Sequence, residues 1–189
     1  MRKSIILILF LYSLQTVAQI KSPSEFLPNY GKQITFYHQT EAYFGHLVKE
    51  SSFIKHKVYG QTNEERNLNV YFVSTPENLA NLDQIRNNNL SAIGLSNQKN
   101  QKIGDKLIVW ISFSVHGNEY AGMESAMTVA YELLNPANKE TKEWLKNTIV
   151  ILDPCENPDG LSRYANWLRE ISGKKTHPGL SDREHMEVW

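Results

Sequence analysis

The stretch Leu107-Ile108-Val109-Trp110-Ile111-Ser112-Phe113-Ser114-Val115-His116-Gly117-Asn118-Glu119 decides the fold of this chain. Leu107 to Phe113 is an almost unbroken apolar run of β-branched and aromatic side chains, the pattern of a strand buried on both faces. Polarity switches at its carboxyl end, where His116 and Glu119 stand three residues apart. An imidazole and a carboxylate at that spacing can converge on one divalent cation, and the nitrogen donor favours zinc. Gly117 permits tight backbone geometry between them.

Downstream, Met123, Ala126, Met127, Ala130 and Leu134 recur at helical spacing as a core-facing stripe, which Pro136 ends. Lys139 to Lys146 reads as a short polar helix, and Thr148 to Leu152 as a second apolar, β-branched strand. Strand, helix, strand predicts neighbours in a parallel, helix-covered sheet. Sites in such sheets lie beyond the carboxyl ends of the strands. His116 and Glu119 occupy that position after the first strand, and Asp153-Pro154-Cys155-Glu156-Asn157-Pro158-Asp159-Gly160 occupies it after the second.

Upstream, Gln39 to Glu50 has helical spacing, with Thr40 as candidate cap and Tyr43, Phe44, Leu47 and Val48 on one face. Phe53 to Tyr59 and Leu68 to Val73 read as a hairpin on the flank of the sheet. Ser74-Thr75-Pro76-Glu77 is a helix start, with the helix running to Arg86 and broken by Asn87-Asn88-Asn89. Ser22 to Pro28 reads as an irregular, proline-broken entry, and Ser96 to Lys102 as a surface loop. His38, His46 and His56 have no chelating neighbour in sequence and read as packed or solvated side chains.

Composition removes several classes of function. The 189 residues carry 20 basic and 20 acidic side chains, and no basic stripe marks a nucleic-acid partner. Arg2 and Lys3, then the apolar Ile5 to Leu14, then Thr16-Val17-Ala18, read as an export signal over residues 1–18. That apolar stretch is too short to span a bilayer, which needs about 20 residues. The expected location is therefore periplasmic, cell-surface or extracellular, with no membrane span once the signal is removed. Cys155 is the only cysteine, so no internal disulfide forms, and it reads as a small buried side chain.

Together, His116-Gly117-Asn118-Glu119 after one apolar strand and Asn157-Pro158-Asp159-Gly160 after the next resemble the zinc metallocarboxypeptidases of the carboxypeptidase A type. Ser22 to Leu27, Ser74 to Ala80 and Asp182-Arg183-Glu184-His185 look like a bacterial secreted branch of that family. The resemblance covers nearly all of residues 19–189. It implies an α/β fold with a mixed, mostly parallel sheet and helices on both faces. It also implies hydrolysis of C-terminal peptide bonds in peptide or protein substrates, through a zinc-activated water. His116 and Glu119 would be the first two zinc ligands; zinc lowers the pKa of its bound water to about 7 and polarises the scissile carbonyl. Arg183 is the first candidate to stabilise the oxyanion and Arg163 the second. Asn118 contacts substrate or holds the loop, and the Asn-Pro-Asp-Gly turn shapes the site.

The family's third zinc ligand and its general-base glutamate come far downstream of the first pair, and this chain stops at Trp189. His177 and His185 are poor substitutes. The expectation is the N-terminal portion of a longer catalytic domain. Two further readings stay open: a non-catalytic truncated or degenerate domain, and a zinc amidohydrolase of the acyl-amino-acid deacylase type.

Overall fold

The computed structural model describes residues 19–95 and 106–171. The export segment 1–18, the loop Ser96 to Lys102, and His177, Arg183 and His185 lie outside the described residues. The elements in order are α1 (Pro23–Phe26), α2 (Tyr37–Glu50), β1 (Ile54–Gln61), β2 (Asn67–Val73), α3 (Pro76–Ala80), α4 (Leu82–Ala92), β3 (Leu107–Ser112), α5 (Tyr120–Leu134), α6 (Lys139–Leu145), β4 (Thr148–Asp153) and α7 (Pro158–Ile171).

The strands form one sheet in the order β1-β2-β4-β3. Strands β3 and β4 are parallel, as the strand-helix-strand pattern requires, with Leu107 opposite Thr148 and Ser112 opposite Asp153. The other two pairings, β1 with β2 and β2 with β4, are antiparallel. The described sheet is therefore mixed and mostly antiparallel, which corrects the mostly parallel expectation. Strand direction is set by which strand lies next door, and β2 finds β4 far along the chain, with Tyr71 opposite Leu152.

One face of the sheet carries the core. Tyr71 and Val73 of β2 and Val150 and Leu152 of β4 pack against Tyr43, Phe44 and Leu47 of α2 and Ala126, Met127 and Ala130 of α5. The predicted stripes on α2 and α5 are thus the buried ones, since side chains alternate across a strand and recur every three to four residues on a helix. The opposite face presents Phe72, Ile149, Ile151 and Ile108 to Leu79, Leu82 and Ile85 of α3 and α4, around a cavity of about 490 Å³.

Strand β3 departs from the burial on both faces that its apolar run predicts. Among the described residues it pairs on one side only, and Leu107 and Trp110 are 62% and 63% exposed. An apolar run predicts burial, but burial needs a neighbour on each side.

Several local expectations shift. Residues 23–26 form a helical turn rather than an irregular entry, because the Glu25 carboxylate accepts from the Ser22 backbone N–H and hydroxyl, both at 2.7 Å. Thr40 lies inside α2 and is buried; the Gln39 side chain instead accepts from Phe36 N at 2.9 Å. Thr75 caps α3 as expected, its hydroxyl accepting from Asn78 N at 3.3 Å. Asn87-Asn88-Asn89 continue α4 instead of breaking it, helped by Gln84 donating to Asn88 at 2.8 Å and Asn89 to the Ile85 carbonyl at 2.9 Å.

Replacing Phe44 by Ala, a fully buried ring, is expected to cost about 3–5 kcal/mol in urea unfolding. Trp110→Ala, on the open face, is expected to stay within about 0.5 kcal/mol of the parent.

Candidate metal centre

The two strand ends that sequence places together remain bonded beyond the sheet. Phe113 N donates to the Asp153 carbonyl at 3.0 Å, Glu156 N to the Phe113 carbonyl at 3.0 Å, and Asn157 N to the Ser114 carbonyl at 3.2 Å. Ser114 then turns the chain with a φ of 51°, a left-handed value that few non-glycine residues adopt. Its hydroxyl donates to the Glu119 carbonyl at 3.2 Å. The loop closes with Glu119 N on the His116 carbonyl at 3.1 Å, and α5 begins at Tyr120.

This geometry brings His116 and Glu119 together. Nδ1 of His116 lies 3.3 Å from Oε1 of Glu119. Glu119 is the N-cap residue of α5 but spends no side-chain bond on capping. Its carboxylate sits at the positive end of the helix dipole and turns back to the imidazole. One ring nitrogen and one carboxylate oxygen on a short, solvent-reached loop suit a zinc ion by donor type. Among the described residues no third His, Cys, Asp or Glu joins them. Asn118, between the two, is half-buried.

The Asn157-Pro158-Asp159-Gly160 segment is not a separate turn; Pro158 to Gly160 is the first turn of α7. Asn157 caps it, its side chain accepting from Gly160 N at 2.9 Å and its carbonyl from Leu161 N at 3.0 Å. Proline suits the first helical position. This turn presses on the His116–Glu119 loop so closely that a Cβ on Gly117 would overlap the Gly160 carbonyl and lie 2.5 Å from Leu161 N. Only glycine fits at 117. Arg163, on α7, directs Nη2 towards Glu64 Oε1 at 3.8 Å.

Two carboxylates that sequence reasoning passed over stand beside the loop. Asp153 ends β4 and is 2% exposed. Its Oδ2 accepts from the Tyr59 hydroxyl at 2.8 Å, and its Oδ1 has no partner. Burial raises its pKa against the lowering effect of the Tyr59 bond. Burial and the bond to Asp153 in turn push the Tyr59 phenol up. Asp159 goes the other way: burial works against its charge, but bonds from Arg66, Thr62 and Glu64 N hold it below the usual carboxylate range. Cys155 is buried with Tyr37, Met123 and Leu161, and burial pushes its thiol up to about 12, which suits a packing role rather than a nucleophile.

With the geometry in place, the comparisons fall into line. The family model for zinc carboxypeptidase, Peptidase_M14, matches residues 40–183. The chain belongs to the zinc carboxypeptidase family. Among solved structures it is similar to thrombin-activatable fibrinolysis inhibitor, with a TM-score of 0.54 and 17% identity over 81% of this chain and 31% of that one. It is similar also to carboxypeptidase A from Helicoverpa armigera, with a TM-score of 0.51 and 17% identity over 73% of this chain and 31% of that one. At that identity the likeness is one of fold. The chain spans about a third of the length of both structures. Among curated proteins none matches it.

The raised pKa of Asp153 fixes the sign of a pH effect. The folded state binds the proton more tightly than the unfolded chain, so this residue's contribution falls as pH rises from the unfolded carboxylate value through the folded one. Asp153→Asn keeps an acceptor for Tyr59 and removes the titration. Its stability relative to the parent is expected to improve as pH rises through that window, read by urea unfolding at a series of pH values. A constant difference would contradict the assignment.

Proposed function

We propose that these residues are the metal-binding part of a peptidase domain that removes residues from the C-termini of peptides. The observation that carries this is the 3.3 Å approach of His116 Nδ1 and Glu119 Oε1 on a loop where sheet and helix ends meet, in a chain of the zinc carboxypeptidase family. His116 and Glu119 would hold the ion, with a further ligand supplied from outside the described residues. Zinc, when bound, supplies a Lewis acid and a water acidic enough to ionise near neutral pH. The chain's own residues orient the ligands: the α5 terminus and the His116 carbonyl fix Glu119, and Gly117 fixes the loop against α7.

Arg183, and after it Arg163, are assigned to the developing oxyanion, where a guanidinium's charge and paired donors are worth most. Asn118 lies in the same loop, half-buried, and is assigned to substrate contact. The chain's zinc affinity is expected to fall at least about tenfold in both His116→Ala and Glu119→Gln, measured by competition with a chromogenic chelator; removing one donor from a small ligand set takes away a large share of the binding energy. Unchanged affinity in both variants would remove the assignment. In a polypeptide carrying residues 19–189 within a complete domain, release of the C-terminal amino acid from a blocked dipeptide should require both residues and be lost with a chelator.

Export is part of the same proposal, supported by the Arg2-Lys3 and Ile5 to Leu14 pattern. Intact-mass measurement of the protein from its native host should find the chain starting at Gln19. A chain that retains Met1 would contradict it.

A further inference from the structure

The metal loop has few side chains of its own to hold it. His116 and Glu119 are 40% and 63% exposed, and the loop is located by backbone contact: Gly117 on the Gly160 carbonyl and Leu161 N. Alongside the strand-end ladder, whatever fixes the first turn of α7 therefore helps to fix the two candidate ligands.

That turn is fastened by Asp159. Oδ1 of Asp159 accepts from Thr62 Oγ1 at 2.8 Å and from Arg66 Nη1 at 2.6 Å, and Oδ2 accepts from Glu64 N at 3.2 Å. All three donors belong to the turn between β1 and β2. The turn is itself closed by Thr62 N on the Arg66 carbonyl at 2.9 Å and Arg66 N on Thr62 Oγ1 at 3.1 Å. Glu65 there takes a φ of 61°, so the backbone bends back sharply to present these donors. Arg66 and Asp159 are both mostly covered, at 31% and 18% side-chain exposure, where a charge-assisted bond outweighs the typical surface pair. Near the helix N-terminus the carboxylate also gains from the dipole.

We propose that Asp159, with Arg66, is a positioning residue for the His116–Glu119 pair. Neither touches the ligands. The hairpin tip holds Asp159, Asp159 holds the first turn of α7, and that turn sets Gly117 and the donors on either side of it. The role in metal binding rests on the reading of His116 and Glu119 as ligands; the mechanical coupling does not.

Amide hydrogen exchange of the full chain, followed by NMR, separates the two. The readout is the amides of Glu119 and Gly122, which donate to the His116 and Glu119 carbonyls at 3.1 Å. Without metal, Asp159→Asn and Arg66→Gln are each expected to speed exchange at these amides at least about tenfold. Amides of Tyr43 to Leu47 and Ile149 to Leu152 should change less than about threefold. Arg66→Lys, which keeps a cation, should restore near-parent rates. Equal acceleration everywhere, which a purely structural bond would give, overturns the proposal, as does no change at Glu119 and Gly122. Zinc chloride added to the parent chain should protect the same two amides, and protect them less in Asp159→Asn. Equal protection in both overturns the metal part. No protection in the parent counts against His116 and Glu119 as ligands, while the zinc-free comparison still judges the coupling.

Discussion

The parallel pairing of β3 with β4 is the constraint from which the rest follows. Parallel neighbours end at the same edge, so the loops after Ser112 and Asp153 cannot avoid each other. The ladder then runs past both strands through Phe113, Ser114, Glu156 and Asn157. Helix α5 is part of the crossover such a pair needs, and its buried stripe of Ala126, Met127 and Ala130 holds the sheet from one face. Two polar segments far apart in sequence become one site because two apolar ones pair.

Much of this is legible in the residues. Periodicity separates β3, α5 and β4, and the spacing of His116 and Glu119 brings an imidazole to a carboxylate. What sequence misses is long-range. Asp153 and Asp159 look like ordinary polar residues in a turn-forming stretch. Their meaning lies in Tyr59, 94 residues away, and in Arg66, 93 residues away. No local pattern marks either partner. The sheet's direction fails for the same reason: β2 lies antiparallel to β4, and a strand's own residues read much the same whichever way its neighbour runs. Asn87 to Asn89 show the opposite limit, where weak helix formers stay helical because side-chain bonds within α4 satisfy them.

Two carboxylates with opposite shifts, Asp153 buried and Asp159 half-buried, border the loop, and their surroundings explain the difference. Asp159 meets three donors, one of them a guanidinium, and keeps its charge. Asp153 meets the Tyr59 phenol and the Cys155 backbone, neither of them charged, so burial dominates. Neighbouring acids that differ in burial and in donors behave differently: one fastens α7 to the β1–β2 turn, the other keeps an unspent oxygen at the sheet edge. These contacts describe how this chain builds the edge where the two strand ends meet.

The open side of β3 carries a consequence for handling the molecule. A six-residue strand with no neighbour on one side among the described residues, and with Leu107 and Trp110 turned outward, is a template for another strand. Attraction of that kind is apolar and backbone-driven, so it grows with concentration and is little weakened by salt. A preparation limited to the described residues therefore keeps its single-molecule behaviour by dilution rather than by ionic strength.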